Sequence, residues 1–415
     1  MKKRVLLLLA VLFLVSCSAT GWAQTAAPLT LQQTVDRARM NNPTLLAAQR
    51  HAAATRANEI TAGLRQNPNF TAMGQDVTLP ADNPGNPYFY SANVSRLFER
   101  GDKRQLRLDS ARASSVVAED QYKDQERQVL LTVKQAFTSM LLAKAALDIA
   151  QQNLSDYRKT VDLSRDRFNA GDISHTDFER IDLQLAQFES DADTAQLNLR
   201  QAGMQLQTLL GVAQPSPIFD IVGTLAPPEL ALSVDDLEQK ALAARPDYLA
   251  AQETVNTAVA NIRLADAGGT ADPTLAAEFE RSGIDTTFGA SLQIPLRLFD
   301  RNQGEKQRTR IEADASRLAV TAARNQVVSD LEQAMAALNT ARLQSARFHG
   351  HYLDEAAQVR DNLQFSYRNG NATLLDYLDA LRSYRSTNLS AINADAQVWL
   401  AIHQLSFAAA TEILP

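Results

Sequence analysis

The chain has one cysteine, Cys17, in 415 residues, which excludes a disulfide framework and any cysteine-based zinc cluster. Five scattered histidines leave little for a metal enzyme, and no stretch matches a phosphate-binding loop, a nucleophile elbow or a zinc-protease helix. Basic charge is in deficit. With 41 Lys+Arg against 47 Asp+Glu, the formal net charge of -6 suits nucleic-acid binding poorly. After the first apolar run, Val5 to Val15, no stretch approaches the ~20 apolar residues of a membrane-spanning helix. If the chain crosses a membrane, it does so with strands.

That first run follows Met1-Lys2-Lys3-Arg4 and reads as a secretory signal over residues 1–23. Two cleavage readings compete. Leu14-Val15-Ser16-Cys17 resembles a lipobox, which leaves Cys17 as a lipidated first residue, whereas Gly21-Trp22-Ala23 suits ordinary cleavage before Gln24. In the second reading Cys17 merely belongs to the removed peptide.

Helix breakers are scarce in two long stretches. No proline occurs from Tyr88 to Gln214, nor from Leu296 to Leu414, which predicts two very long helical regions. Gly171 and Gly370 punctuate them in matching phrases, Phe168-Asn169-Ala170-Gly171-Asp172-Ile173-Ser174-His175-Thr176-Asp177-Phe178 and Tyr367-Arg368-Asn369-Gly370-Asn371-Ala372-Thr373-Leu374-Leu375-Asp376-Tyr377, offset by 199. Upstream, Asn42-Pro43 matches Arg245-Pro246 at an offset of 203, and Arg96-Leu97-Phe98-Glu99-Arg100 matches Arg297-Leu298-Phe299-Asp300-Arg301 at 201. Three landmarks in one order predict a two-fold repeat, residues 29–212 and 232–415, joined by a linker at 213–231 with Pro215, Pro217, Pro227 and Pro228.

Within each half the period changes. After a short helix ending at the proline step and a second helix over residues 44–66 or 247–266, apolar and polar residues alternate. Tyr88, Tyr90, Ala92 and Val94 interleave with Phe89, Ser91, Asn93 and Ser95; Leu275, Ala277 and Phe279 with Ala276, Glu278 and Glu280; Phe288, Ala290, Leu292 and Ile294 with Thr287, Gly289, Ser291 and Gln293. These are strands with one apolar face. The partner over residues 69–79 is less regular, with a loop at Pro80, Pro84 and Pro87 beyond it. Four strands of ~10 residues can cross a bilayer tilted but cannot close, so a barrel needs copies, and three chains give twelve strands. Two amphipathic hairpins on a soluble core fit the same pattern.

The outgoing arms, Gly101 to Gly171 and Gly304 to Gly370, reach on the order of 100 Å at ~1.5 Å per residue. In the first, Val129, Val133, Ala136, Met140, Ala143 and Leu147 recur at intervals of four and three, the spacing of a helix packed along a neighbour. His349-Gly350-His351 lies in the second arm without an acidic or cysteine partner in the sequence pattern, a poor metal pair.

The duplicated hairpins, the Gly-x-x-Ser/Thr-x-x-Asp turns and Ile294-Pro295-Leu296-Arg297-Leu298-Phe299-Asp300-Arg301-Asn302-Gln303-Gly304 resemble the TolC-type outer membrane efflux family over nearly all of the mature chain. The last run is most similar to the branch paired with cobalt, zinc and cadmium resistance-nodulation-division pumps. The resemblance implies an α+β membrane protein, with long α-helical hairpins forming an α-barrel and four strands contributed to a trimeric 12-stranded transmembrane β-barrel. It implies the exit duct of a tripartite efflux pump, a passive conduit for small molecules or heavy-metal cations from periplasm to exterior across the outer membrane of a Gram-negative bacterium, not an enzyme and without cofactors. Its implied partners are outer membrane lipid, two further copies, a periplasmic adaptor and an inner-membrane resistance-nodulation-division transporter. A type I protein secretion duct shares the architecture, and a pore-free periplasmic coiled-coil scaffold is the reading from another class.

By the same resemblance Gly171, Ser174, Gly370 and Thr373 contact the adaptor at the hairpin tips, although glycine and hydroxyl residues also suit a purely structural turn and cap. Asp376 and Asp379, with Asp177 in the first repeat, correspond to acidic residues of the narrow periplasmic end. Three copies would gather repelling carboxylates there, favouring cations; solvated capping carboxylates are the alternative. Two residues after Gly370, where some members carry Arg, stands Ala372. Their inter-hairpin lock is therefore not expected here, and neither Arg368 nor Arg382 is assigned to it.

Overall fold

The computed structural model describes residues 28–75, 88–228 and 234–413. The signal segment with Cys17, the loop bearing Pro80, Pro84 and Pro87, and part of the linker lie outside the described residues. The first half runs α1 (Leu31–Asn41), α2 (Pro43–Gly63), β1 (Asn69–Gln75), β2 (Phe89–Leu97), α3 (Lys103–Asn169) and α4 (His175–Leu209). The second repeats this order with α5 (Val234–Ala244), α6 (Pro246–Gly268), β3 (Thr274–Ser282), β4 (Asp285–Gln293), α7 (Gln303–Arg347), α8 (Leu353–Arg368) and α9 (Leu374–Ala409).

Local chemistry explains the breaks. Thr30 and Gln33 form a capping box at the start of α1. A residue before proline is pushed out of helical geometry, so α1 ends at Asn41 and the extended Asn42 follows, whose Oδ1 accepts from Leu45 N–H to start α2. The same side chain donates Nδ2 to the Leu209 carbonyl at the end of α4, 2.8 Å away. In the second half Arg245 stands in that place. It reaches the Ala408 carbonyl of α9 at 3.4 Å and pairs with Asp247 and Asp330, while itself only 2% exposed. Different side chains thus tie the proline step to the end of the returning helix in each half.

The helical cores repeat as well. Val129, Val133, Ala136 and Met140 of α3 pack with Ala38, Leu206 and Leu210; Val327, Leu331, Ala334 and Leu338 of α7 pack with Leu237, Ile402 and Leu405. Five of the six seam residues expected in α3 are buried, and Ala143 is partly so. Contrary to the sequence reading, α3 holds a stretch long and apolar enough to cross a membrane by length and composition; its apolar residues supply this packed seam.

A second correction concerns the arm after β4, which is not one α-helix. Between α7 and α8 a π-helical turn, Phe348–Tyr352, widens the spiral. Such a turn alters the hydrogen-bond step without a composition signal, so helix-breaker counting passes over it.

The strands form one antiparallel sheet in the order β1-β2-β3-β4. Its centre, β2 against β3, joins the two halves with Ala92 opposite Phe279. β3 and β4 turn through Gly283 and Ile284, where Gly283 takes φ 59 at the first central position, the requirement of a tight hairpin that twists with its strands. Every residue of β1 and of β4 is exposed, and among the described residues each leaves one edge unpaired.

Candidate functional site

Directly opposed residues in an antiparallel ladder share a face, so the register sorts the sheet. One face carries Phe70, Val94, Leu275, Phe279, Phe288 and Leu292, with the Phe279 and Phe288 rings 5.4 Å apart. The other carries Thr71, Ser91, Asn93, Glu278, Glu280, Thr287 and Ser291. Ser91 is buried on the polar side, whereas Phe288 is 80% exposed on the apolar side. Leaving such a wall in water costs roughly 25 cal/mol for each Å² of apolar surface; a hydrocarbon surround removes that cost.

At the far end of the arms the matched phrases fold alike, except that the Thr373 backbone N–H also bonds the Asp376 carboxylate. Gly171 (φ 85) and Gly370 (φ 75) take the left-handed conformation that ends a helix cheaply only at glycine. Asp172 N–H bonds Arg167 O at 2.8 Å and Asn371 N–H bonds Ser366 O at 2.8 Å, the closing bonds of this stop. Ser174 and Thr373 then cap the returning helices, accepting from Asp177 N–H at 3.1 Å and Asp376 N–H at 3.2 Å. Each hydroxyl also donates to the carboxylate of the same aspartate, at 2.8 and 2.6 Å. Bonds from the Thr373 hydroxyl and backbone N–H hold the Asp376 carboxyl below the usual carboxylate range.

The aromatic residues that open and close each phrase stack across the turn. Phe168 lies 5.4 Å from Phe178 and Tyr367 lies 5.5 Å from Tyr377, both pairs nearly parallel. The two tips are neighbours: the Arg167 guanidinium sits 5.5 Å from the Tyr367 ring and Thr160 Oγ1 lies 3.2 Å from Tyr377 OH. Farther along, Arg382 donates to Gln184 at 3.2 Å, and Arg385 pairs with Asp191 while lying 4.9 Å from the Phe188 ring. Sequence reasoning missed these cross-hairpin partners; the aromatic bookends of each phrase were the available signal.

The structure brings Gly171, Ser174 and Asp177 into one turn and Gly370, Thr373 and Asp376 into the other. Asp379 follows on the exposed surface of α9 and, among the described residues, has no ion-pair partner. Nothing gathers Asp177, Asp376 and Asp379 into one cluster within a single chain, and among the described residues no group of three or more His, Cys, Asp or Glu is placed to hold a metal. The histidine pair does have acidic partners, contrary to the sequence reading. His349 Nε2 lies 2.9 Å from Asp395 Oδ2, and His351 Nε2 lies 3.2 Å from Glu355. Asp395, buried, also accepts from Ser345 at 2.6 Å. The widened turn sets His349 over a residue 46 positions away, a distance no local pattern reveals.

Comparison with known proteins adds to this geometry. The family described as "Outer membrane efflux protein" matches residues 34–212 and 237–411. The cobalt-zinc-cadmium resistance protein CzcC of Cupriavidus metallidurans is 25% identical over 381 residues, 91% of this chain and 89% of CzcC. Outer membrane protein TolC of Vibrio cholerae is 23% identical over 413 residues, 95% of this chain and 92% of TolC. A crystal structure of CusC, described with transmembrane channel formation, superposes with a TM-score of 0.76 at 20% identity and covers 91% of each chain.

Proposed function

Because the chain belongs to the outer membrane efflux protein family, we propose that it is the passive exit duct of a tripartite efflux pump, joined through a periplasmic adaptor to an inner-membrane resistance-nodulation-division transporter that supplies the energy. The family's members are channel proteins of the Gram-negative outer membrane, and this chain has their fold and location. The observation that carries the reading is the two-faced sheet, which among the described residues has an unpaired strand at each edge. In hydrocarbon an open edge is untenable, so β1 of one copy pairs with β4 of the next, and three copies close a twelve-stranded barrel. The polar face with Glu278 and Glu280 then lines the lumen.

Below the barrel the paired helices continue as the wall of a periplasmic tube. The tips at Gly171, Ser174, Gly370 and Thr373 meet the adaptor; a Cβ built on either glycine touches nothing within 4 Å, leaving room for a docking helix. Three copies of Asp376, Asp379 and Asp177 ring the narrow end and favour cations. The cargo is divalent metal, the class named for the relative CzcC. Deleting the gene should lower tolerance of cobalt, zinc and cadmium, with restoration by the wild-type copy. Unchanged tolerance of all three metals would refute the cargo, and absence of ion conductance in planar bilayers would refute the duct.

A further inference from the structure

The corner where strand gives way to helix is built twice from one phrase, Arg96-Leu97-Phe98-Glu99-Arg100 and Arg297-Leu298-Phe299-Asp300-Arg301. Register places Arg96 opposite Leu275, so it sits at the helical end of the apolar face. Its guanidinium lies 5.2 Å from the centroid of the Phe98 ring. Arg65, Arg96, Arg100 and Arg104 border one cavity of about 570 Å³ at this corner. Two carboxylates also border it: Glu99 is engaged by Arg107, whereas Asp102 has no ion-pair partner among the described residues, and Lys103 is engaged by Asp272 at 2.6 Å. Among the described residues no carboxylate pairs with any of those four arginines. In the second copy of the phrase Leu298 and Phe299 are exposed, Phe299 at 91%, and Arg297 Nε is buried without a hydrogen-bond partner.

A chain of net charge -6 has thus concentrated four unpaired arginines against one free carboxylate, Asp102, where an apolar wall ends. We infer that this corner binds the phosphate headgroup of an anionic phospholipid in the periplasmic-side leaflet, with the acyl chains lying along the apolar face. The inference rests on the strands being the membrane-spanning part. Guanidinium matches phosphate with two parallel donors and stacks on aromatic rings, as Arg96 does on Phe98. Leu298, Phe299 and Phe98 supply the apolar and aromatic band expected where hydrocarbon meets headgroups. Continuity with the apolar face favours a lipid over a free ion, because the cavity opens beside a surface that only acyl chains would cover.

The test uses the full mature protein in neutral detergent, offered equal amounts of phosphatidylglycerol and phosphatidylcholine with identical chains, and bound lipid is counted by native mass spectrometry. Wild type should retain phosphatidylglycerol at least fivefold in excess, at about fivefold per arginine near the surface. The triple variant Arg65→Gln, Arg96→Gln, Arg104→Gln should lose the preference, and the Arg→Lys triple should keep part of it. Equal retention by wild type, or an undiminished preference in the glutamine variant, overturns the site. Displacement of the lipid by millimolar inorganic phosphate would mean a free-anion site and also overturns it. So would efficient cross-linking of Arg96→Cys to Phe299→Cys between copies with no lipid preference, which would give the corner to a second copy. Oligomeric state and conductance are read on the same samples. Protein that conducts without lipid preference sinks this inference alone, whereas protein that neither assembles nor conducts sinks the duct as well.

Discussion

His403 on α9 is 4% exposed and lies 3.1 Å from Thr138 Oγ1 of α3, at the seam between the two halves. Burial, with a smaller contribution from the Lys134 ammonium, lowers its pKa from 6.5 to about 4. Above pH 6.5 the imidazole is neutral folded and unfolded, so it contributes no pH dependence. Between pH 6.5 and about 4 the unfolded chain takes up a proton that the folded chain refuses, and stability falls as pH falls. At 1.36 kcal/mol per unit the full loss is about 3 kcal/mol, of which about 2.5 kcal/mol is felt at pH 4.5. Replacing His403→Gln keeps a polar partner for Thr138 and removes the titration. Thermal unfolding followed by circular dichroism at pH 7.5 and 4.5 should show the variant losing less stability on acidification than wild type, by that amount. Equal losses in the two proteins would refute the assignment.

Two glycines with the same backbone conformation should respond differently to alanine. Gly171→Ala meets no atom within 4 Å and should cost about 1 kcal/mol for the left-handed conformation alone, whereas at Gly211 (φ 75) the new Cβ would stand 2.2 Å from the Asn41 carbonyl oxygen, raising the cost to about 3 kcal/mol or more; comparable melting shifts would contradict this. Asp376→Asn with Asp379→Asn should raise single-channel conductance and weaken block by divalent cations in planar bilayers, and unchanged currents would remove both residues from the constriction. The cap tests its own role separately: Thr373→Ala should destabilise by about 1 kcal/mol, read as a fall in melting temperature, and no fall would mean that the Thr373 hydroxyl does not support the turn.

Much of the architecture was readable because helices this long must exclude proline, and sheets with one wet face must alternate. Tyr90, Ala92 and Val94 announce β2, and Phe288, Ala290 and Leu292 announce β4, because each position has only one solvent to match. β1 was harder: Thr71 and Met73 face the polar side, Phe70 and Ala72 the apolar side, so its alternation is blunted by Met73. The turn phrases were legible as phrases, with the glycine stop, the hydroxyl cap and the aspartate three residues on. Their stacking aromatics were not, since a pair ten residues apart declares itself only once the helix reverses. Arg245 shows the limit most clearly. Its equivalent is Asn42, and nothing local in the sequence announces that an arginine will be buried there between Asp247 and Asp330. The same holds for Asp395, whose partners Ser345 and His349 come from another helix.

The central claim is that three copies close a duct. Electron microscopy of the detergent-extracted mature protein tests it most directly. Helix α3, at 67 residues, spans about 100 Å, so the account predicts three-fold cylinders longer than that, with a barrel at one end and a tapered tip at the other. Single copies or compact two-fold particles, stable without detergent, would contradict it.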